Sequence, residues 1–196
     1  MKPVRKSIGG LGNLMFKQAY IYSQMRRGLI PDIYVQSDKY WKEFTEEVKL
    51  MFSPGGGIID MVSLHIRRGD YLDTDFYVDL TQTDYYKEAV KQFPDEEFIV
   101  FYRDRQDDSR DQDDAGWCIE YLDRIIPGRY RLYSGEDETD DLNMMARCKS
   151  NIMANSSFSW WAAFLNNNPN RKVVCPKDWF SDGVMRIDLL DEWIEI

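Results

Sequence analysis

The residues best suited to chemistry crowd into one stretch, Ser63-Leu64-His65-Ile66-Arg67-Arg68-Gly69-Asp70-Tyr71. Two adjacent guanidiniums suit an anionic ligand, because each can fork two hydrogen bonds onto a phosphate. The residues leading into them, Ile59 to Ile66, read as a short, mostly apolar strand that stops in Gly-Asp. Such a strand sets its last side chains at the mouth of a sheet, where open α/β folds bind ligands. The structural alternative is a solvated strand end in which Arg68 pairs with Asp70.

Three further clusters bear on an anionic ligand. Ile8-Gly9-Gly10-Leu11-Gly12-Asn13 is a glycine-rich turn that opens a helix. A helix start exposes unpaired N–H groups and the positive dipole end, which suits phosphate. It is neither a P-loop nor GxGxxG, so a tight structural turn explains it equally well. Asn155-Ser156-Ser157 stands at a strand-to-helix junction, where two hydroxyls either cap the helix or join its N–H groups around a phosphate. Asp73-Thr74-Asp75 is a DxD triplet of the kind that holds a divalent ion against a diphosphate, and also a common chance pattern in a chain with 34 acids.

The elements that must position these groups follow from the hydrophobic pattern. Leu14 to Arg27 has helical spacing, and Ile33-Tyr34-Val35 is β-prone. Asp38 to Met51 reads as one helix with Trp41, Phe44, Val48 and Met51 on a face. Ser53-Pro54-Gly55-Gly56-Gly57 is the clearest breaker cluster and the best domain boundary, dividing the chain into residues 1–57 and 58–196. Beyond it strands are expected at 59–66, 98–101, 130–133, 150–154 and 173–176. The helices between them fall at 85–92, 117–126, from Asp140 or Asp141 through Cys148, and from Asn155-Ser156-Ser157 through Leu165. Asp84 is the expected cap of the first of these, and Asp140 or Asp141 of the third. Regular β/α alternation implies a parallel sheet with helices on both faces. Arg103 to Asp114 has no apolar residue and reads as a loop.

Composition narrows the function. A net charge of −9, from 25 basic and 34 acidic residues, argues against nucleic acid and anionic membranes as main partners. It leaves room for an anionic small ligand. A guanidinium at about 4 Å contributes on the order of 4 kcal/mol at an effective dielectric near 20, whereas distant carboxylates are screened beyond roughly 8–10 Å. Cys118, Cys148 and Cys175 are widely spaced without a CxxC, and the chain has one histidine, so a zinc site is not expected. Separate cysteines fit buried thiols in a reducing compartment. No apolar run reaches transmembrane length and none precedes Gly9 as in a signal peptide; a cytoplasmic protein, at most peripheral to a membrane, is expected.

Four stretches together resemble the α-1,2-fucosyltransferases of glycosyltransferase family 11: GGLGNLMFKQA (Gly9 to Ala19), HIRRGDY (His65 to Tyr71), DLNMMARCKSNIMANSSFSWWAAFLN (Asp141 to Asn166) and VCPKDWF (Val174 to Phe180). YVQSDKYW (Tyr34 to Trp41) and TDYYKEAV (Thr83 to Val90) fit as well. The resemblance implies a GT-B-like α/β fold with two Rossmann-type domains, and an inverting, metal-independent enzyme. GDP-fucose would be the donor substrate and a galactoside hydroxyl the acceptor. Carried over by position, Arg67 would bind the β-phosphate and stabilise departing GDP, His65 would contact the nucleotide, and Asp141 would read the guanine or ribose edge. Ser156 and Ser157, beside Asn155, would hold the diphosphate, with Gly10, Gly12 and Asn13 approaching from the first domain. Arg68 and Asp70 would orient the loop, and Asp73 or Asp75 is the expected general base.

The sequence also departs from the family. The segment between the glycine-loop helix and YVQSDKYW is short, implying a truncated first, acceptor-side domain. Where the family carries FSDD, this chain has Phe101-Tyr102-Arg103-Asp104, with the charged tract delaying the Trp117-Cys118 pair. The family's Asn-Gln pair in the glycine loop is here Asn13-Leu14. Two alternatives therefore stand beside a fucosyltransferase: a metal-dependent transferase using Asp73 and Asp75, and a non-catalytic GDP-binding module. Self-association of an open first domain is a further expectation.

Overall fold

The structure is a computed structural model and describes residues 10–27, 37–102, 114–183 and 187–196. In chain order it contains α1 (Leu11–Arg26), α2 (Thr45–Phe52), β1 (Ile59–His65), α3 (Tyr85–Lys91), β2 (Phe98–Phe101), α4 (Asp114–Ile125), β3 (Tyr130–Tyr133), α5 (Glu138–Arg147), β4 (Cys148–Ile152), α6 (Ser157–Leu165), β5 (Val173–Cys175) and β6 (Ile194–Glu195).

The six strands form one all-parallel sheet in the order β3-β2-β1-β4-β5-β6. Strands buried on both faces read as continuous apolar runs rather than alternating ones. β2, Phe-Ile-Val-Phe, and β5, Val-Val-Cys, are such runs, and every residue of both is buried. Two cores flank the sheet. On one face α3 and α4 pack Tyr86, Ala89, Val90, Cys118 and Leu122 against Val62, Leu64 and Val100. On the other, α1, α2, α5 and α6 gather around an aromatic cluster. Within it the Phe16 ring lies 4.7 Å from Trp160 and 5.0 Å from Trp161, and Trp41 stacks on Trp161 at 5.5 Å. Helices on both faces of a parallel sheet make this a Rossmann-like, GT-B-type α/β fold.

Several elements differ from the sequence pattern. Asp38 to Met51 is not one helix: two short 3-10 turns, Asp38–Tyr40 and Lys42–Phe44, precede α2. Trp41 joins them with a non-helical φ of −140° because its indole is fully buried in the aromatic core, whereas Met51 is exposed. α5 begins at Glu138 and is capped by Asp137, whose carboxylate accepts from Thr139 N and Asp140 N at 2.7 and 3.0 Å. Asp84 does stand at the cap position of α3, but its carboxylate pairs with Lys87, and Thr83 Oγ1 accepts from Tyr85 N instead. α4 starts at Asp114, before the expected Trp117; 103–113 and the β-prone 33–35 lie outside the described residues. β4 starts two residues earlier than expected, at Cys148. The C-terminal tail adds a sixth strand, β6, too short to read from sequence and held by the Val174–Ile194 register.

Candidate functional site

In a sheet of this order, the strands β1 to β3 are laid down in one direction and β4 to β6 in the other, and the crevice beyond the carboxyl ends of β1 and β4 is where such folds bind ligands. β1 and β4 run in register, Ser63 opposite Asn151 and Leu64 opposite Ile152, so the segments that leave them emerge side by side. The first carries His65, Arg67 and Arg68; the second carries Asn155, Ser156 and Ser157.

Beyond β1 the side chains keep the two-residue alternation of a strand. His65 and Arg67 face the β4–α6 side. The His65 ring lies 5.9 Å from Phe158, and the Arg67 guanidinium sits 4.9 Å over the Tyr71 ring, whose hydroxyl donates to the Asn155 carbonyl at 3.1 Å. Ile66 and Arg68 face the other core. Ile66 is buried against α3 and α4, while Arg68 Nε donates to Asp114 Oδ1 at 3.0 Å with its guanidinium 3.8 Å from the Trp117 ring centre. The adjacent arginines therefore do different jobs. The sequence offers Asp70 as Arg68's partner; the structure supplies Asp114 from the start of α4, and the Asp70 side chain lies outside the described part of the structure. Gly69, at φ +64°, then turns the chain into a 3-10 turn ending at Asp73.

The opposite wall is the start of α6. Ser156 caps it, its Oγ accepting from Phe158 N at 3.3 Å, and Ser157 Oγ donates to Asn13 Oδ1 at 3.0 Å. Gly12 has no space for a side chain: a Cβ there would lie 2.6 Å from the Ser157 carbonyl carbon and 2.7 Å from Phe158 N. Gly12 thus admits the start of α6 itself, while around Gly10 the space is open. The N-termini of α1 and α6 consequently abut, and neither first turn contains an acidic residue. Two positive dipole ends in contact create a field that attracts an anion. Asn155 is buried, and its amide donates to the Val78 and Trp179 carbonyls at 2.8 and 3.1 Å. It ties together the two loops flanking the crevice.

Burial, with Arg67's charge adding to it, lowers the pKa of His65 to about 3, so the ring is neutral at physiological pH. Its Nδ1 is buried with no hydrogen-bond partner among the described residues. Asp141 Oδ1 accepts from Gly135 N at 2.8 Å, which fixes the turn between β3 and α5. Asp75 is exposed, and the side chain of Asp73 lies outside the described part. The three cysteines are buried, and burial pushes the Cys148 and Cys175 thiols up to about 12. A cavity of about 930 Å³ lies between α3 and α4, but none of the nominated site residues lines it. Its Lys87 and Lys91 are paired with Asp84 and Glu88.

The family model described as Glycosyl transferase family 11 matches residues 16–196. The chain belongs to glycosyltransferase family 11. It is similar to an O-antigen biosynthesis glycosyltransferase, WbnK, of Escherichia coli, with 33% identity over 142 residues covering 68% of this chain and 44% of that protein. It is also similar to an alpha-1,2-colitosyltransferase of Escherichia coli, with 29% identity over 166 residues covering 74% of this chain and 54% of that one. The family 11 chain thus spans about half the length of these curated relatives.

Of the residues nominated from sequence, the structure gathers His65, Arg67, Asn155, Ser156, Ser157, Gly12 and Asn13 around one crevice of this family 11 chain. Tyr71 and Asp114 join the site without a role that the sequence assigns them. Tyr71 ends HIRRGDY four residues past Arg67, and that spacing is its signal. Asp114 stands three residues before Trp117-Cys118, a spacing hidden by the surrounding acids; Asp104, the acid aligned with the family's pattern, lies outside the described residues. No described helix is long and apolar enough to cross a membrane.

Proposed function

We propose that this chain binds the GDP portion of GDP-fucose in the crevice between β1 and β4 and transfers fucose to a galactoside hydroxyl. The reaction would invert the anomeric centre, form an α-1,2 linkage and need no metal ion. The observation that carries the reading is the pair of helix starts, α1 and α6, touching at the sheet's reversal point beside Arg67 with no acid in either first turn. A diphosphate is the natural occupant of such a field. Family membership and the relative named for α-1,2 colitosyl transfer support the reaction class and linkage.

In this reading the bond from the sugar to the β-phosphate oxygen breaks, and its electron pair stays with the diphosphate. Arg67 and the helix N–H groups stabilise the charge as it develops. His65, which burial keeps neutral, contacts the nucleotide through its ring. Asp141, beside the α5 start, serves the guanine or ribose edge. Asp73 or Asp75, on the loop that follows Arg67, takes the acceptor's proton as the hydroxyl attacks from the face opposite the leaving group. Residues 1–57 are then the acceptor-side portion present in this chain, and the enzyme acts in the cytoplasm.

The test is titration of the purified chain with GDP, UDP and ADP, followed by GDP-fucose with a panel of β-galactosides, with and without chelator. Tight binding of GDP alone, and fucosylated product at equal rates with chelator, is the expected result. No preference for GDP would refute the donor assignment. GDP binding without fucose release would leave a nucleotide-binding unit in place of a transferase, and loss of product with chelator would return the DxD triplet to the mechanism. Full turnover in the double variant Asp73→Asn/Asp75→Asn would remove those residues as the base.

A further inference from the structure

We propose that Asp114 is a positioning residue for Arg67, acting through Arg68; this rests on the reading of Arg67 as the group that meets the diphosphate. The segment from Ile66 to Arg68 lies past His65, the last β1 residue, and before the left-handed turn at Gly69. It is fastened by β2 and by the helices α3 and α4. The Tyr86 hydroxyl donates to the His65 carbonyl at 2.9 Å, and Ile66 N donates to the Phe101 carbonyl at 2.9 Å. Arg68 is the last anchor before the turn: its Nε is bonded to Asp114, and its guanidinium is laid on Trp117, itself stacked on Tyr121 at 4.9 Å. Because side chains alternate, holding Arg68 against α4 turns Arg67 toward Tyr71 and the start of α6.

The anchor is built to be specific. The Arg68 and Asp114 side chains are only 14% and 8% exposed, so water cannot readily replace a lost partner. Asp114 opens α4, where the helix dipole favours a negative charge. Without it, Arg68 would lose its hold and the backbone at Arg67 would be free to rotate about the Gly69 turn.

The experiment turns on the sign of one effect. Asp114→Asn removes a carboxylate near an anion site, so Coulomb's law alone predicts tighter GDP binding. Loss of positioning predicts weaker binding, on the order of tenfold. Arg68→Lys keeps both charges but loses the planar fork and the stack on Trp117, and should weaken GDP in the same direction. It also stands in should Asp114→Asn fold poorly, as judged by its melting temperature. A second readout needs no nucleotide: in arginine-labelled protein, the Arg67 Nε–H resonance, assigned by its loss in Arg67→Lys, should shift or broaden in both variants. An unmoved Arg67 resonance, or GDP affinity equal to or above that of the unmodified chain in both variants, would overturn the proposal. If the unmodified chain itself ignored GDP, the donor reading would fail, while the resonance would still decide whether Asp114 sets Arg67.

Discussion

Two helices begin at the same edge of this sheet and begin differently. α5 opens among its own carboxylates: Asp137 caps it, and Glu138, Asp140 and Asp141 fill its first turn. Asp140 and Asp141 also fold back onto the Glu136 and Gly135 amides. α6 opens with Ser156 and Ser157, has no acid in its first turn, and is met by the equally acid-free start of α1. The first helix satisfies its positive end internally. The second supplies hydroxyls, amides and a neighbouring guanidinium. Where a chain so rich in acid withholds it from two touching helix ends, the composition itself marks the place for an external anion.

The largest expected effect that would break this contrast is Arg67→Ala. GDP affinity should fall about a hundredfold, roughly 3 kcal/mol, with little change in melting temperature; calorimetric titration measures the first and thermal unfolding the second. Unchanged affinity would remove the anion from the α6 side.

Acid should act next. The folded-state pKa of His65, about 3, lies below its ordinary 6.5, so the unfolded chain takes up the proton first. Its contribution to stability is complete above about pH 6.5 and is lost as pH falls toward 3, amounting to about 2 kcal/mol by pH 5. Denaturant unfolding across this range, with His65→Gln as reference, reads the slope. A parallel slope in the variant would show that other groups carry it.

Asp137→Ala, at the α5 start, should cost about 1 kcal/mol of stability through the lost cap and leave GDP affinity little changed. The smallest effect is the sharpest. Ser157→Asp gives α6 the kind of start α5 has and should weaken GDP, while stability changes by less than about 1 kcal/mol because the dipole's gain offsets the lost bond to Asn13. Stronger GDP binding in that variant would invert the comparison.

The strands and their alternation with helices were legible because apolar runs such as Phe98–Phe101 and Val173–Cys175 are short, continuous and bounded by breakers. The α6 start was legible for the same local reason, a cap residue opening an apolar run. Other features depended on distant partners. Trp41 bends 38–44 out of a helix because it has an aromatic core to enter. β6 exists because β5 offers it an edge. Arg67 and Arg68 look equivalent in sequence, and only the parity of an extended chain, with Trp117 and Tyr71 waiting on opposite sides, separates them. Asp114 was illegible within its run of acids, since nothing local marks it for burial.

The glycine-rich break at 53–57 looks like a place to cut the chain, yet Phe16, Trp41 and Val48 on one side of it are interleaved with Trp160 and Trp161 on the other. A fragment beginning at residue 58 would bare the indoles of α6 to solvent and lose the helix that meets the start of α6. Shortening this chain from its N-terminal end should therefore produce an insoluble remnant in place of a smaller binder.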